Sequence, residues 1–215
     1  MLTIENAETF GWEAAIRGMR NPKNSWSKSD SRWSFPCENG TDAPRFIVGE
    51  NDLKLAYALA NSGADDGKFL RMIHVQLDVT APLYWHKEAD QYKVGTVTDS
   101  CSTMHKIHAK EFTLDDFSHE HLYSPLHDLK PTVDLLNVYR ERFLDTKDKE
   151  DWWQLIQLLP SSYNQRRTWD LNYAVLRNIY HARKGHRLDE WKTLLDWIET
   201  LPYAKELICS VGKNL

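Results

Sequence analysis

The stretch "NYAVLRNIYHARKGH", residues 172 to 186, carries two amides (Asn172 and Asn178), two arginines (Arg177 and Arg183) and two histidines (His181 and His186). Amides and guanidinium groups present hydrogen bonds in fixed directions, and arginine forks onto phosphate or carboxylate. A helix running from about 165 to 184 places Trp169, Leu176 and Ile179 on one broad face, with Asn172 and Arg183 flanking it about three turns apart. At about 1.5 Å of rise per residue the Cα atoms of Asn172 and Arg183 stand about 16 Å apart, a span that suits an extended dinucleotide better than a small substrate. The competing account is a bundle helix whose polar groups satisfy neighbouring backbone and carboxylates.

The elements that must hold this stretch follow from periodicity. Residues 73–80, "IHVQLDVT", alternate Ile73, Val75, Leu77 and Val79 with polar partners, which predicts a half-buried strand. "APLYWHKEADQY" predicts a helix with Pro82 in its first turn. "KVGTVTDSCSTMH" then returns to small, polar and β-branched residues, a loop or short strand. Upstream, residues 20 to 48 read as a long loop between an N-terminal helix and the helical "ENDLKLAYALANSG". From about 131 onward the pattern is helical and broken at Pro160 and Gly185, giving 131–145, 149–159, 165–184, 187–199 and a short tail helix. The expected fold class is α/β (α+β), helix-rich with few strands, in a single domain spanning 1–215.

Composition narrows the classes of function. At 215 residues, with 41% hydrophobic and 27% charged content, the chain is long enough for one sizeable core. A formal charge of −4 gives no overall basic field toward nucleic acid or an anionic membrane, so any anion site must be local. Cys37, Cys101 and Cys209 are odd in number and widely spaced, which suits a reducing compartment. No segment approaches a membrane span or a secretory leader, and a cytoplasmic protein is expected.

Two blocks carry a family resemblance. The first is "LPSSYNQRRTWDLNYAVLRNIYHARKGHRLDEW", residues 159 to 191. It resembles the C-terminal signature of the flavin-dependent thymidylate synthases: Leu-Pro, an aromatic residue, then Asn, Leu, Asn and Arg on one helix, then His and Glu at the next helix's start. The matching positions are Leu159-Pro160, Trp169, Asn172, Leu176, Asn178, Arg183, His186 and Glu190. In the second block, the strand 73–80, Ala81-Pro82 and Lys87-Glu88 lead into "QYKVGTVTDSCST" (91–103), in register with that family's R-H-R-x-x-S-x-N-E-x-S-x-R loop. The resemblance implies that Asn172, Asn178, Arg183, His186, Tyr92, Lys93, Thr98 and Asp99 bind FAD. It implies a substrate side formed by Glu88, Gln91, Cys101, Thr103 and Arg183. It further implies a homotetramer acting on a pyrimidine deoxynucleotide, with methylenetetrahydrofolate as one-carbon donor and NADPH as reductant of the flavin. It names no catalytic side chain in this chain.

The loop keeps the family's register and none of its residues. Gln91, Tyr92, Lys93, Thr96, Thr98, Asp99, Cys101 and Thr103 stand where the family has Arg, His, Arg, Ser, Asn, Glu, Ser and Arg. Glutamine and threonine cannot supply arginine's charged fork, and each such contact is worth about 1.5–3 kcal/mol. Lys93 is the loop's one strong cation between Gln91 and Thr103 and is the expected holder of a phosphate. The flavin side is therefore better preserved than the substrate side, and a catalytically inactive homologue that binds a nucleotide or a protein partner is the alternative.

Three further constellations have simpler accounts. His105, His108, His119, His121 and His127 crowd one polar stretch, yet no cysteine or carboxylate completes a metal spacing, and no metal is expected. Cys101 would need a nearby base or cation to act as a nucleophile, and an inert thiol is the simpler reading. "RNPKNSWSKSDSRW" interleaves cations with two tryptophans as single-stranded nucleic-acid binders do, but a solvated loop accounts for it, and no strong nucleic-acid signal remains.

Overall fold

Residues 1–35 and 43–211 are described by a computed structural model. In chain order they form β1 (Thr3–Phe10), α1 (Trp12–Arg20), β2 (Arg32–Ser34), β3 (Arg45–Ile47), α2 (Glu50–Ala60), β4 (His74–Pro82), α3 (Leu83–Ala89), β5 (Val97–Ser100), α4 (Pro125–Asp128), α5 (Lys130–Thr146), α6 (Lys149–Leu158), β6 (Asn164–Asn172), α7 (Tyr173–Arg183), α8 (Asp189–Ile198) and α9 (Ala204–Leu207). A four-stranded sheet has the order β1-β4-β6-β5, and β2 pairs antiparallel with β3, Trp33 opposite Phe46. The helix-rich α/β expectation holds.

The alternation of 73–80 becomes β4 as expected: Ile73, Val75, Leu77 and Val79 are buried, while His74, Gln76 and Asp78 are not. Burying each such aliphatic side chain contributes about 1.5–3 kcal/mol. The expected helix 165–184 is corrected. Its first part is the strand β6, and the helix α7 begins only at Tyr173. Here a period of two prevails over the helical spacing, because Trp169 and Leu171 are buried between the less buried Thr168 and Asp170. The long loop 20–48 likewise contains the short β2–β3 pair and two 3-10 turns, Asn21–Lys23 and Trp26–Lys28. β1 has no counterpart in the sequence reading. The cysteine Cys37 lies outside the described residues, whereas Cys101 and Cys209 are free thiols.

Packing divides the chain into two compact units, each assembled from separate stretches. Unit 1 comprises 1–6, 77–91 and 98–169. Its helical part packs α5 on α6 around Phe112, Phe117, Leu129, Val133, Leu136 and Leu155. Lys147, in the left-handed region at φ 58°, ends α5, and the Asp148 carboxylate accepts the Glu150 amide at 2.9 Å to start α6. Unit 2 comprises 7–76, 92–97 and 170–215. In it α1, α2 and α7 surround the 3-10 turn Asp66–Met72, which buries Phe69 and Leu70.

The loop after α1 in unit 2 is fastened by a buried ion pair. Asp52, fully buried in the first turn of α2, accepts Arg20 Nε at 2.5 Å, Ser29 Oγ at 2.6 Å, Ser31 Oγ at 2.5 Å and the Ser31 amide at 3.0 Å. Arg20 also donates to the carbonyls of Ser25 at 3.2 Å and Lys28 at 3.1 Å. Burial alone would raise the Asp52 carboxyl, but hydrogen bonds from Ser29, Ser31 and Arg20 outweigh it and hold the group below the ordinary carboxylate value. Asp30 completes the cluster by accepting the Asn51 and Asp52 amides at 2.9 and 3.0 Å, so a loop carboxylate caps α2. Gly49 permits this approach, since a Cβ there would lie 2.2 Å from Asp30 Cγ. Asp52→Ala leaves the buried Arg20 cation without its counter-charge, and urea denaturation should show a loss of about 3–5 kcal/mol. A loss under about 1 kcal/mol, the value of an exposed pair, would refute the buried-pair account.

Candidate functional site

The strand-to-helix junction at Asn172 sets the geometry of unit 2. Asn172 is the last residue of β6 and the cap of α7: its Oδ1 accepts the Val175 amide at 3.1 Å. Its Nδ2 donates to the Gly95 carbonyl at 3.4 Å and so ties the segment 92–97 to the start of the helix. Gly95 has φ 85°, a conformation strained for other residues, and a Cβ there would sit tightly at 3.1 Å from Val175 Cγ2.

At the other end of α7, Arg183 meets the same segment. Its Nε donates to Tyr92 Oη at 2.8 Å, and its guanidinium carbon lies 4.5 Å from the ring centre of the buried Trp191 and 5.4 Å from that of Tyr92. His186 stands edge-on to Trp191 at 6.1 Å, and its Nδ1 accepts the Leu188 amide at 3.2 Å. Asn172, Arg183, Tyr92 and His186, four of the residues expected to bind the cofactor, thus lie along one face of α7 and its continuation, with Lys93 exposed beside them in sequence.

Asn178 is placed differently. Five residues separate it from Arg183, about 140° around a helix, so it belongs to another face. There it is exposed and lines a cavity of about 440 Å³ with Asn61, Leu70, Arg71, Ala174, Arg177 and His181. Arg177 is committed to structure: it donates to the Leu207 carbonyl at 2.9 Å and to Asn61 Oδ1 at 2.8 Å. His181 bonds the Ile208 carbonyl at 3.0 Å, and burial and then the Arg177 charge push its imidazole below the ordinary value. The exposed Arg71 is the cavity's other cation. Arg71, Asn61 and Trp191 were not singled out from the sequence. The first two come from segments distant from the motif, with no local pattern to mark them.

In unit 1 the expected substrate-side residues cluster around the ends of α3 and β5. Gln91 donates to the Glu88 carbonyl at 2.6 Å, Cys101 is exposed and Thr103 is half-buried, while Thr98 and Asp99, expected on the flavin side, lie exposed on β5. Beneath them is Gln165, also missed from the sequence. Its side chain donates to the Cys101 carbonyl at 2.6 Å and accepts Arg167 Nε at 2.9 Å, and Arg167 in turn pairs with Asp90 at 2.6 Å. The Gln165 carbonyl bonds Nε2 of the fully buried His86 at 2.9 Å. Among the described residues no group of three or more histidine, cysteine or acidic side chains is arranged to hold a metal ion, and no helix is long and apolar enough to cross a membrane.

This architecture defines a class: the chain has the fold of the flavin-dependent thymidylate synthases. Thymidylate synthase X from Helicobacter pylori, solved with FAD and dUMP, superposes with a TM-score of 0.66 at 12% identity, covering 97% of both chains. A second structure of that enzyme with the same ligands gives 0.62 at 14% identity, over 96% of this chain and 97% of the other. The UMP/dUMP methylase PolB from Streptomyces cacaoi, bound with 5-Br dUMP, gives 0.64 at 12% identity, over 99% of this chain and 96% of the other. By sequence, no protein-family model and no curated protein matches.

Burial pushes the His86 imidazole down to about 4 from an ordinary 6.5, and the bond to the Gln165 carbonyl offsets this only in part. Between those values the unfolded chain carries the extra proton and the folded chain does not, so stability falls as pH falls through that window, by about 1.4 kcal/mol per pH unit. Urea titrations from pH 6.5 to pH 4 should show this slope in the wild type and a shallower one in His86→Gln. Equal slopes in the two proteins would sink the assignment.

Proposed function

We propose that this chain is a cytoplasmic flavin-dependent enzyme acting on a pyrimidine deoxynucleotide, by thymidylate synthase-like one-carbon transfer to C5 or a variant of it. The observation that carries the reading is the gathering of Asn172, Arg183, Tyr92 and His186 along α7, on a fold whose structural counterparts hold FAD and dUMP. The cavity on the other face of α7 fits part of a flavin dinucleotide. It offers Asn178 as an amide and Arg71 as a cation for a diphosphate, within a volume of about 440 Å³. The chemistry that a bound, reduced flavin supplies is hydride transfer, with NADPH as its reductant and methylenetetrahydrofolate as the one-carbon source.

The chain's own residues bind and orient. Arg183, fixed by Tyr92 and Trp191, is a positioned cation whose side chain is already ordered before ligand arrives. Lys93 offers a point charge to a nucleotide phosphate. The resemblance assigns Glu88, Gln91, Cys101 and Thr103 to the substrate side, and Thr98 and Asp99 to the flavin side. The alternative, an inactive homologue that binds a nucleotide or protein partner, is favoured by one observation: Gln91 and Thr103 replace two arginines of the family's loop.

Arg71→Ala should weaken FAD binding by about 1.5–3 kcal/mol and Asn178→Ala by about 1 kcal/mol, read by titration of flavin fluorescence. The melting temperature without ligand should be unchanged, because both side chains are exposed. Arg183→Ala should weaken FAD and dUMP together. Wild-type protein that binds neither molecule would remove the flavin reading and leave the interaction-protein account. The assembly is proposed to be a homotetramer, and light scattering that gave a monomer at micromolar concentration would overturn that proposal.

A further inference from the structure

A cavity of about 650 Å³ lies in unit 2 where the end of β1, the start of α1, the β2–β3 pair and the turn before α9 meet, and it is lined by none of the residues assigned to the flavin. Phe10, Trp12, Trp33, Phe46 and Tyr203 line it, Arg45 supplies a cation, and the Glu13 carboxylate in its wall is engaged by Trp33 Nε1. Its volume falls within the range of about 300–1,000 Å³ usual for small-molecule sites.

Two features set this cavity apart from loosely packed core. Phe10 and Trp33 remain 42% and 45% exposed, although aromatic rings gain strongly from burial. The rings are also held in place by Glu13 of the cavity wall, by one another's edges or by groups outside the cavity. Trp33 Nε1 donates to Glu13 at 3.1 Å, and the ring sits edge-on to Phe46 at 5.6 Å. Phe10 stacks on His74 at 5.4 Å. Tyr203 accepts the Val48 amide at 3.0 Å, and Trp12 meets Tyr203 edge-on at 5.3 Å. Walls of this kind are ordered in advance, so a ligand entering them loses little of its binding energy to ordering side chains. Aromatic faces select planar π systems, and an arginine beside them selects carboxylate or phosphate.

We propose that this cavity is a binding site for a planar heteroaromatic ligand that carries an anionic group, its ring stacked among Phe10, Trp33 and Phe46 and its charge held by Arg45. The proposal does not depend on the flavin reading. The anion is a carboxylate or a phosphate, and two probes separate these sources: folic acid has a heteroaromatic ring with a carboxylate tail, and ATP has one with a phosphate tail.

Isothermal titration of the full chain with folic acid and with ATP tests the site, and glutamate and inorganic phosphate serve as probes without the ring. At least one ring-bearing probe should bind with Kd below about 100 μM, and its ringless counterpart at least tenfold more weakly. Trp33→Ala and Arg45→Gln should each weaken that probe tenfold or more. Arg45→Gln should melt at the wild-type temperature because the side chain is exposed, Trp33→Ala should melt lower through its lost contacts with Phe46 and Glu13, and a melting curve on each variant checks that it is folded. FAD affinity measured on the same variants should not change. The proposal is overturned if neither probe binds below about 1 mM, if binding survives both substitutions, or if FAD affinity falls in parallel with the probe, which would make this part of the flavin site.

Discussion

The interaction on which the rest depends is a reciprocal pair of backbone hydrogen bonds at two strand-to-helix junctions. β4 passes into α3 and β6 into α7 without an intervening loop. The first amide of α3, at Leu83, donates to the Tyr163 carbonyl just ahead of β6, and the first amide of α7, at Tyr173, donates to the Ile73 carbonyl just ahead of β4, both at 3.0 Å. A helix's first amides have no acceptor of their own, so each junction satisfies one of them at the start of the neighbouring strand. Within unit 2 this bond fixes where α7 begins, and eleven residues of helix then fix where Arg183 ends up. Pro82 and Asn172 complete the two caps by opposite means, one by lacking an amide and the other by an accepting side chain.

The polar residues of the central strands are spent on one another within each unit. In unit 1, Asp78 accepts Thr168 Oγ1 at 2.6 Å, Asn6 Nδ2 at 2.8 Å and Arg166 Nη2 at 2.6 Å, and these three bonds hold its carboxyl well below the ordinary range. In unit 2, Asp170 bonds His74 at 2.9 Å and Gln76 at 3.1 Å. These charged residues, which look available in the sequence, are therefore structural.

What was legible in the sequence follows physical lines. β4 could be read because four buried aliphatic residues alternate over eight positions, and α2, α5, α6 and α8 because their apolar stripes are long. β6 could not, because Trp169 sits at helical spacing from Leu176 and Ile179 and the junction has no turn residue to announce a change of period. β1 is largely exposed and carries Glu5 and Glu8, so it shows no apolar alternation at all. The site divides in the same way. The cluster of Asn172 and Arg183 was visible in a helical projection, whereas the separation of Asn178 onto the face with Arg71 needed the distant turn to be placed.

β5 is an edge strand, and all four of its residues are exposed. It also lies at the centre of segment 91–103, which shares no residue with the loop motif of the family it resembles. Side chains there are exposed, so changing one costs folding little. If the proposed function holds, any ligand contact made by β5 lies on a stretch that folding does not constrain, and it can change while the scaffold of β4, β6 and α7 stays in place.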